Sequence, residues 1–223
     1  MKRVMSFILV CMIGLSLHAS DSKQLYVGRS FSDGDIPSLQ TKNAVFINCD
    51  FSKNVRKDYK LESLDFSGSY LIGCNFSGKN LSGAKFSDAV ITSTSDTSPA
   101  VQAYIRQAGV QVLPGLITTF AQAKLDNAQF TGATVSSSFV GASLNSTKFN
   151  NAQLSQCSFS YADLNGADFS SFAGKTKIVL SSFDCAINID KALIDAGYQQ
   201  IKNTGYSTRC EALKPFIMGA QTC

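Results

Sequence analysis

The sequence predicts an all-β solenoid in two repeat blocks, each followed by a short α-helix. Three observations lead there. An apolar residue recurs at every fifth position over two long stretches. Small residues precede most apolar centres by two, as Cys74, Ala84, Ala142 and Ala162 do, and Ser, Gly or Asn follow. Two segments with helical spacing break or end the pattern. Neither a 3.6-residue helix nor a two-residue strand sustains a period of five.

The N-terminus comes first. Lys2 and Arg3 precede an uncharged, mostly apolar stretch from Val4 to Leu17, and Leu17-His18-Ala19 offers a small residue before polar chain begins at Ser20. This is the order of a signal peptide, expected over 1–19 with cleavage near Ala19. The apolar run is shorter than the roughly 20 residues a membrane-spanning helix needs. The whole chain carries 20 Lys+Arg against 16 Asp+Glu; loss of Lys2 and Arg3 leaves 18 − 16, or +2. A near-neutral chain without acidic or basic runs has no electrostatic footprint for nucleic acid. Its only histidine, His18, leaves with the leader.

Residues 20–43 carry Tyr26, Phe31 and Ile36 in loose five-step phase, an N-terminal cap or an irregular first coil. Asp33-Gly34-Asp35 lacks the further spaced acids of a calcium loop and predicts a turn. Block 1, residues 44–91, runs Phe46, Phe51, Arg56, Leu61, Phe66, Leu71, Phe76, Leu81, Phe86, Ile91. Arg56 is its one polar centre. An unpaired guanidinium does not belong in an apolar interior, so Lys53 to Lys60 is expected to bulge outward. Block 2, residues 123–179, runs Leu125, Phe130, Val135, loses one residue, then continues Phe139, Leu144, Phe149, Leu154, Phe159, Leu164, Phe169.

Between the blocks lies an insertion, 92–122. Ser98 is placed to cap a helix with Pro99 in its first turn; Val101, Tyr104, Ile105 and Ala108 follow at helical spacing, and Gly109 stops it. A helix is expected at about 99–108. A related pattern recurs in the C-terminal segment 180–223, with Ile189, Ala192, Leu193 and Ala196 before Gly197. Val179 answers to Ile91 and stays in phase with Phe169. Both helices are expected to cover apolar solenoid surface.

The runs LDFSGSYLIGCNFSGKNLSGAKFSDA, AKLDNAQFTGA and ASLNSTKFNNAQLSQCSFSYADLNGADFS resemble the pentapeptide-repeat family. The resemblance implies a right-handed quadrilateral β-helix with four five-residue steps per coil. Residues 20 apart then stack. Phe46, Phe66 and Phe86 are expected in one column with Phe76 opposite, and Leu61 and Leu81 face Leu71 and Ile91. Phe149 is expected on Phe169, and Leu144 on Leu164. Leu154 and Phe159 complete the predicted core.

Six cysteines remain after leader removal. Cys49, Cys74 and Cys157 precede apolar centres by two, none 20 residues from another, and are expected as small, unstacked core residues. Cys185, Cys210 and Cys223 are candidates for a disulfide of undetermined pairing. Without histidine, Ser–His and Cys–His catalysis are excluded from the mature chain, and no zinc spacing occurs. Asp163 and Asp168 form a carboxylate pair, expected on adjacent outer faces as solvated positions. No catalytic, cofactor or metal site is predicted. The expected function is a noncatalytic exported scaffold, periplasmic or extracellular, that binds an unidentified protein rather than nucleic acid. Two alternatives stand beside it: a DNA-mimic topoisomerase-binding protein, which the resemblance suggests, and a glycan-acting β-helix enzyme.

Overall fold

A chain that turns every five residues must supply a left-handed residue at each corner and an inward side chain on each wall. The computed structural model of the protein describes residues 23–54, 61–62, 64–170, 177–179 and 181–188. In it the chain winds into a four-walled tube of parallel, hydrogen-bonded coils. The second residue after most inward centres has positive φ, whether glycine (Gly68, Gly78, Gly83) or not (Asn43, Asn127, Ser146). Asn tolerates this region better than most L-residues, which accounts for the Gly and Asn in the repeat.

One wall is a seven-stranded parallel sheet of β1 (Leu25–Val27), β3 (Val45–Ile47), β5 (Tyr70–Ile72), β6 (Val90–Thr92), β8 (Thr134–Val135), β10 (Gln153–Ser155) and β11 (Lys177–Val179), in that order. The next wall pairs β2 (Ser30–Ser32) with β4 (Asp50–Asn54) and β7 (Thr118–Thr119) with β9 (Ser137–Ser138). Single bridges knit the other two: Asn80, Lys124, Ser143 and Asp163 on the third, Asp65, Lys85, Gln129, Lys148 and Asp168 on the fourth.

The interior is sorted by shape. Phe31, Phe51, Phe76, Phe120, Phe139, Phe159 and Phe183 stack in a column on the second wall, with successive centroids 4.5–5.3 Å apart. Phe66, Phe86, Phe130, Phe149 and Phe169 form the fourth-wall column, at 4.7–5.2 Å. The two columns meet edge to face, as Phe139 and Phe149 do at 5.9 Å and 89°. Offset stacks and T-shaped pairs are the favoured aromatic geometries. Leu81, Leu125, Leu144 and Leu164 fill the third wall. Every predicted core residue, from Phe46 through Phe169, is buried.

The outer polar positions have a structural task. The side chains of Asp50, Asp65, Asn75, Asn80 and Asp168 each accept a hydrogen bond from the amide two residues on, at 2.7–3.1 Å. Such bonds shape the corner locally. At the N-terminal end, the Arg29 guanidinium lies over the Tyr26 and Phe31 rings at 5.8 and 5.2 Å. A cation over an aromatic face covers apolar surface while remaining attracted to it.

The structure decides some open points and changes several expectations. Residues 23–43 form a coil: Tyr26 stacks on Phe46 at 4.7 Å and Phe31 on Phe51 at 4.6 Å. The two blocks share one sheet, β6 pairing directly with β8, so they form a single tube. The tube resumes at β7 and Phe120, within the stretch assigned to the insertion. Phe46 does not share a column with Phe66 and Phe86; it pairs with Leu71 and meets Phe66 only edge-on. The reason is the polar run after Lys53. It lengthens that coil by one five-residue step, moving Phe46 to the next wall. The same step brings Cys49 beside Cys74, against the expectation that no cysteines stack. Ile178, not Val179, is in register with Leu154 and so with Ile91. Arg56 and the second predicted helix lie outside the described residues.

Candidate protein-binding insertion

The tube is interrupted between Ile91 and Thr118, and the excursion is held by a built neck. Thr94 donates its amide to the Leu116 carbonyl at 2.8 Å and its hydroxyl to the Leu113 carbonyl at 2.7 Å. That hydroxyl accepts the Leu116 amide at 3.0 Å, and Ser93 bridges Ile117 antiparallel. Asp96 then starts the helix. Its carboxylate accepts from the Thr92 hydroxyl and the Ser98 amide, each at 2.8 Å, and its carbonyl accepts from Gln102 Nε2 at 2.6 Å. The Ser98 side chain makes no capping bond. These bonds hold the Asp96 carboxyl below the ordinary range although partial burial works the other way.

Helix α1 (Pro99–Ala108) ends at Gly109, whose φ is 64°. Val101 is completely buried against Val45, Ile47 and Ile72 on the outer surface of the first wall. Tyr104 packs on Tyr70 at 4.8 Å, and Ile105 and Ala108 join the same cluster. Burying a valine side chain contributes about 1.5–3 kcal/mol. The helix therefore serves as a buttress. The sequence signal for its site was overlooked: Leu25-Tyr26-Val27, Val45-Phe46-Ile47 and Tyr70-Leu71-Ile72 are apolar on both sides of the inward centre. In later coils Thr134, Gln153 and Ser155 occupy those outward places and are exposed.

Beyond the helix the returning segment leaves three apolar side chains uncovered. Val110, Leu113 and Ile117 are 49%, 68% and 52% exposed, and they are the exposed large hydrophobics among the described residues. They lie on the segment that leaves the repeat between Ile91 and Thr118.

Among the described residues, the remaining walls offer no comparable feature. Lys42 pairs with Asp65 at 3.6 Å, Lys53 with Asp50 at 3.5 Å and Lys124 with Asp126 at 3.8 Å, so charge of both signs is interspersed. Asp163 and Asp168 sit on different walls. Burial acts to raise the Asp168 pKa, but hydrogen bonds from Ser170 and Asn150, with the Lys148 charge, hold it below the ordinary range. A proton donor near neutral pH needs the opposite shift. Asp33–Asp35 is a turn: the Asp35 carboxylate accepts the Ser32 amide at 2.8 Å and hydroxyl at 2.7 Å. Among the described residues, no three His, Cys, Asp or Glu converge as a metal site, and no helix is long and apolar enough to cross a membrane.

The cysteines occupy a polar column that sequence reasoning missed. Cys49, Cys74 and Cys157 are free and buried, and their thiols donate to the Tyr26, Phe46 and Val135 carbonyls at 3.6, 3.5 and 3.2 Å. Between them in the tube, Thr118 and Ser137 use hydroxyls for the same purpose. Burial pushes the Cys157 thiol up to about 11. Cys185 is disulfide-bonded; Cys210 and Cys223 lie outside the described residues.

A family model for pentapeptide repeats matches in eight copies, over residues 64–95 and 137–171. The chain contains pentapeptide repeats. Solved structures of pentapeptide-repeat proteins also resemble it at low TM-score. Rfr23 from the cyanobacterium Cyanothece 51142 is 12% identical over 78% of this chain and 86% of its own, with a TM-score of 0.34. A pentapeptide-repeat protein from the thylakoid lumen of Arabidopsis thaliana is 20% identical over 67% and 79%, at 0.27. QnrB1, a plasmid-mediated fluoroquinolone resistance protein, is 19% identical over 81% and 95%, at 0.24. No curated protein matches this pentapeptide-repeat chain by sequence.

Proposed function

We propose that this chain is an exported, noncatalytic scaffold whose right-handed tube presents the 92–117 excursion to a protein partner. The observation that carries the reading is the exposure of Val110, Leu113 and Ile117 together on a buttressed segment. Exposed apolar clusters on otherwise polar surfaces mark interaction sites. The rigid neck keeps the segment ordered before binding, which lowers the entropy lost on association. Two features support export: the leader-like order of residues 1–19 and the Cys185 disulfide, a bond that persists in oxidising compartments. The interspersed charges weigh against DNA mimicry, which needs a continuous row of carboxylates.

A photo-crosslinking amino acid placed at Leu113, with a control at Lys148 on the fourth wall, tests the proposal in the native envelope or medium. A discrete crosslinked protein at 113, absent at 148 and lost with Ile117→Asp, is expected. Equal labelling at both positions, or labelling unaffected by Ile117→Asp, refutes the insertion as the contact.

A further inference from the structure

We propose that Cys49 and Cys74 form a modification site, closing a disulfide between consecutive coils in the presence of a disulfide oxidant such as oxidised glutathione. The pair is framed by register on both sides. Ile47 pairs with Ile72 just before it, and Asp50 bridges Asn75 just after it. Phe51 and Phe76, one residue further, stack at 4.5 Å. Neighbouring parallel strands lie about 4.8 Å apart, within the roughly 4.4–6.8 Å that separates the Cα atoms of a disulfide. The neighbouring Cys74 thiol lowers the Cys49 pKa, whereas burial raises that of Cys74. No other described coil places two thiols side by side: the neighbours of Cys157 in its column are Ser137 and Ser181.

The chemistry is thiol–disulfide exchange. The Cys49 thiolate attacks one sulfur of the oxidant, forming a mixed disulfide and releasing one thiol. The Cys74 thiolate then attacks the Cys49 sulfur and releases the second. Two electrons pass to the oxidant, and the two cysteine protons balance its two product thiols. Both side chains are buried, so exchange occurs while the coils are open, during folding or transient separation. The bond would tie together the coil that contains the polar run after Lys53, closing a loop that the unfolded chain otherwise samples freely.

Refolding the reduced full chain in a glutathione redox buffer, poised until the Cys185 disulfide has formed, tests this without reference to export. Alkylation and peptide mapping should yield a Cys49–Cys74 linked peptide lighter by two hydrogens, with Cys157 alkylated. The denaturant midpoint should be higher in the oxidised chain than in the reduced one. Cys74→Ser should abolish the linked peptide while keeping the fold, since serine and threonine already occupy this column. Recovery of Cys49 and Cys74 both alkylated in a sample where Cys185 is bonded overturns the proposal. So does pairing of Cys49 with any other cysteine.

Discussion

Phe159→Ala is the sharpest test of the sorted interior. Phe159 is completely buried. It stacks on Phe139 at 4.9 Å and 1°, and on Phe183 at 4.8 Å and 12°. It meets Phe149 and Phe169 edge-on at 5.8 and 5.7 Å. Truncation removes a ring with aromatic neighbours on four sides, each held by its own coil and unable to collapse into the gap. A buried Phe→Ala substitution costs about 3–5 kcal/mol, and this site belongs in the upper half of that range. Phe159→Leu keeps most of the volume but loses both stacks, each worth about 0.5–1.5 kcal/mol; its cost is about 1–3 kcal/mol by that reckoning. Urea titration followed by circular dichroism reads both variants against the parent. The Ala variant should unfold at clearly lower urea, with Leu between the two. A loss below about 1 kcal/mol for Ala, less than the low end for a buried ring, or a Leu variant as damaged as Ala, would refute the column.

Further outcomes follow from other parts of the molecule. Gly73→Ala should undock the insertion, because a Cβ there lies 2.7 Å from Thr94 Cγ2 and 3.1 Å from the Leu116 carbonyl at a φ of +64°; proteolysis within 92–117 should accelerate while the rest of the tube resists. The carboxyls of Asp50, Asp65 and Asp168 are lowered on folding by hydrogen bonds from Ser52, Ser67 and Ser170 and by nearby lysines, against the opposing effect of burial. Their stabilising contribution is therefore fully present above the ordinary carboxylate pKa and lost as pH falls through the lowered values. Asp168→Asn should flatten the decline of the denaturant midpoint in that acidic window, and an unchanged slope contradicts the assignment. Intact-mass measurement of the native protein should show removal of the residues up to about Ala19, and full-length protein in the cytosol would refute export.

Much of this architecture was legible in the chain. The five-residue period, the Gly and Asn two places after many centres and the apolar spacing of Val101, Tyr104, Ile105 and Ala108 are local properties, dictated by backbone sterics and side-chain burial. They name the tube, its interior and the helix without knowledge of distant contacts. Which coil meets which is a different matter. It depends on how the chain spends the residues after Lys53 and between Val135 and Phe139, and a single added or missing step rotates every later residue to another wall or corner. That is why Phe46 was assigned to the wrong column and why the neighbouring thiols of Cys49 and Cys74 were invisible in linear sequence. The docking of α1 on Val45, Ile47 and Ile72 likewise required the tertiary structure. A stripe of outward apolar residues exists only once successive coils lie in register, and only then can a helix cover it and leave Val110, Leu113 and Ile117 outside.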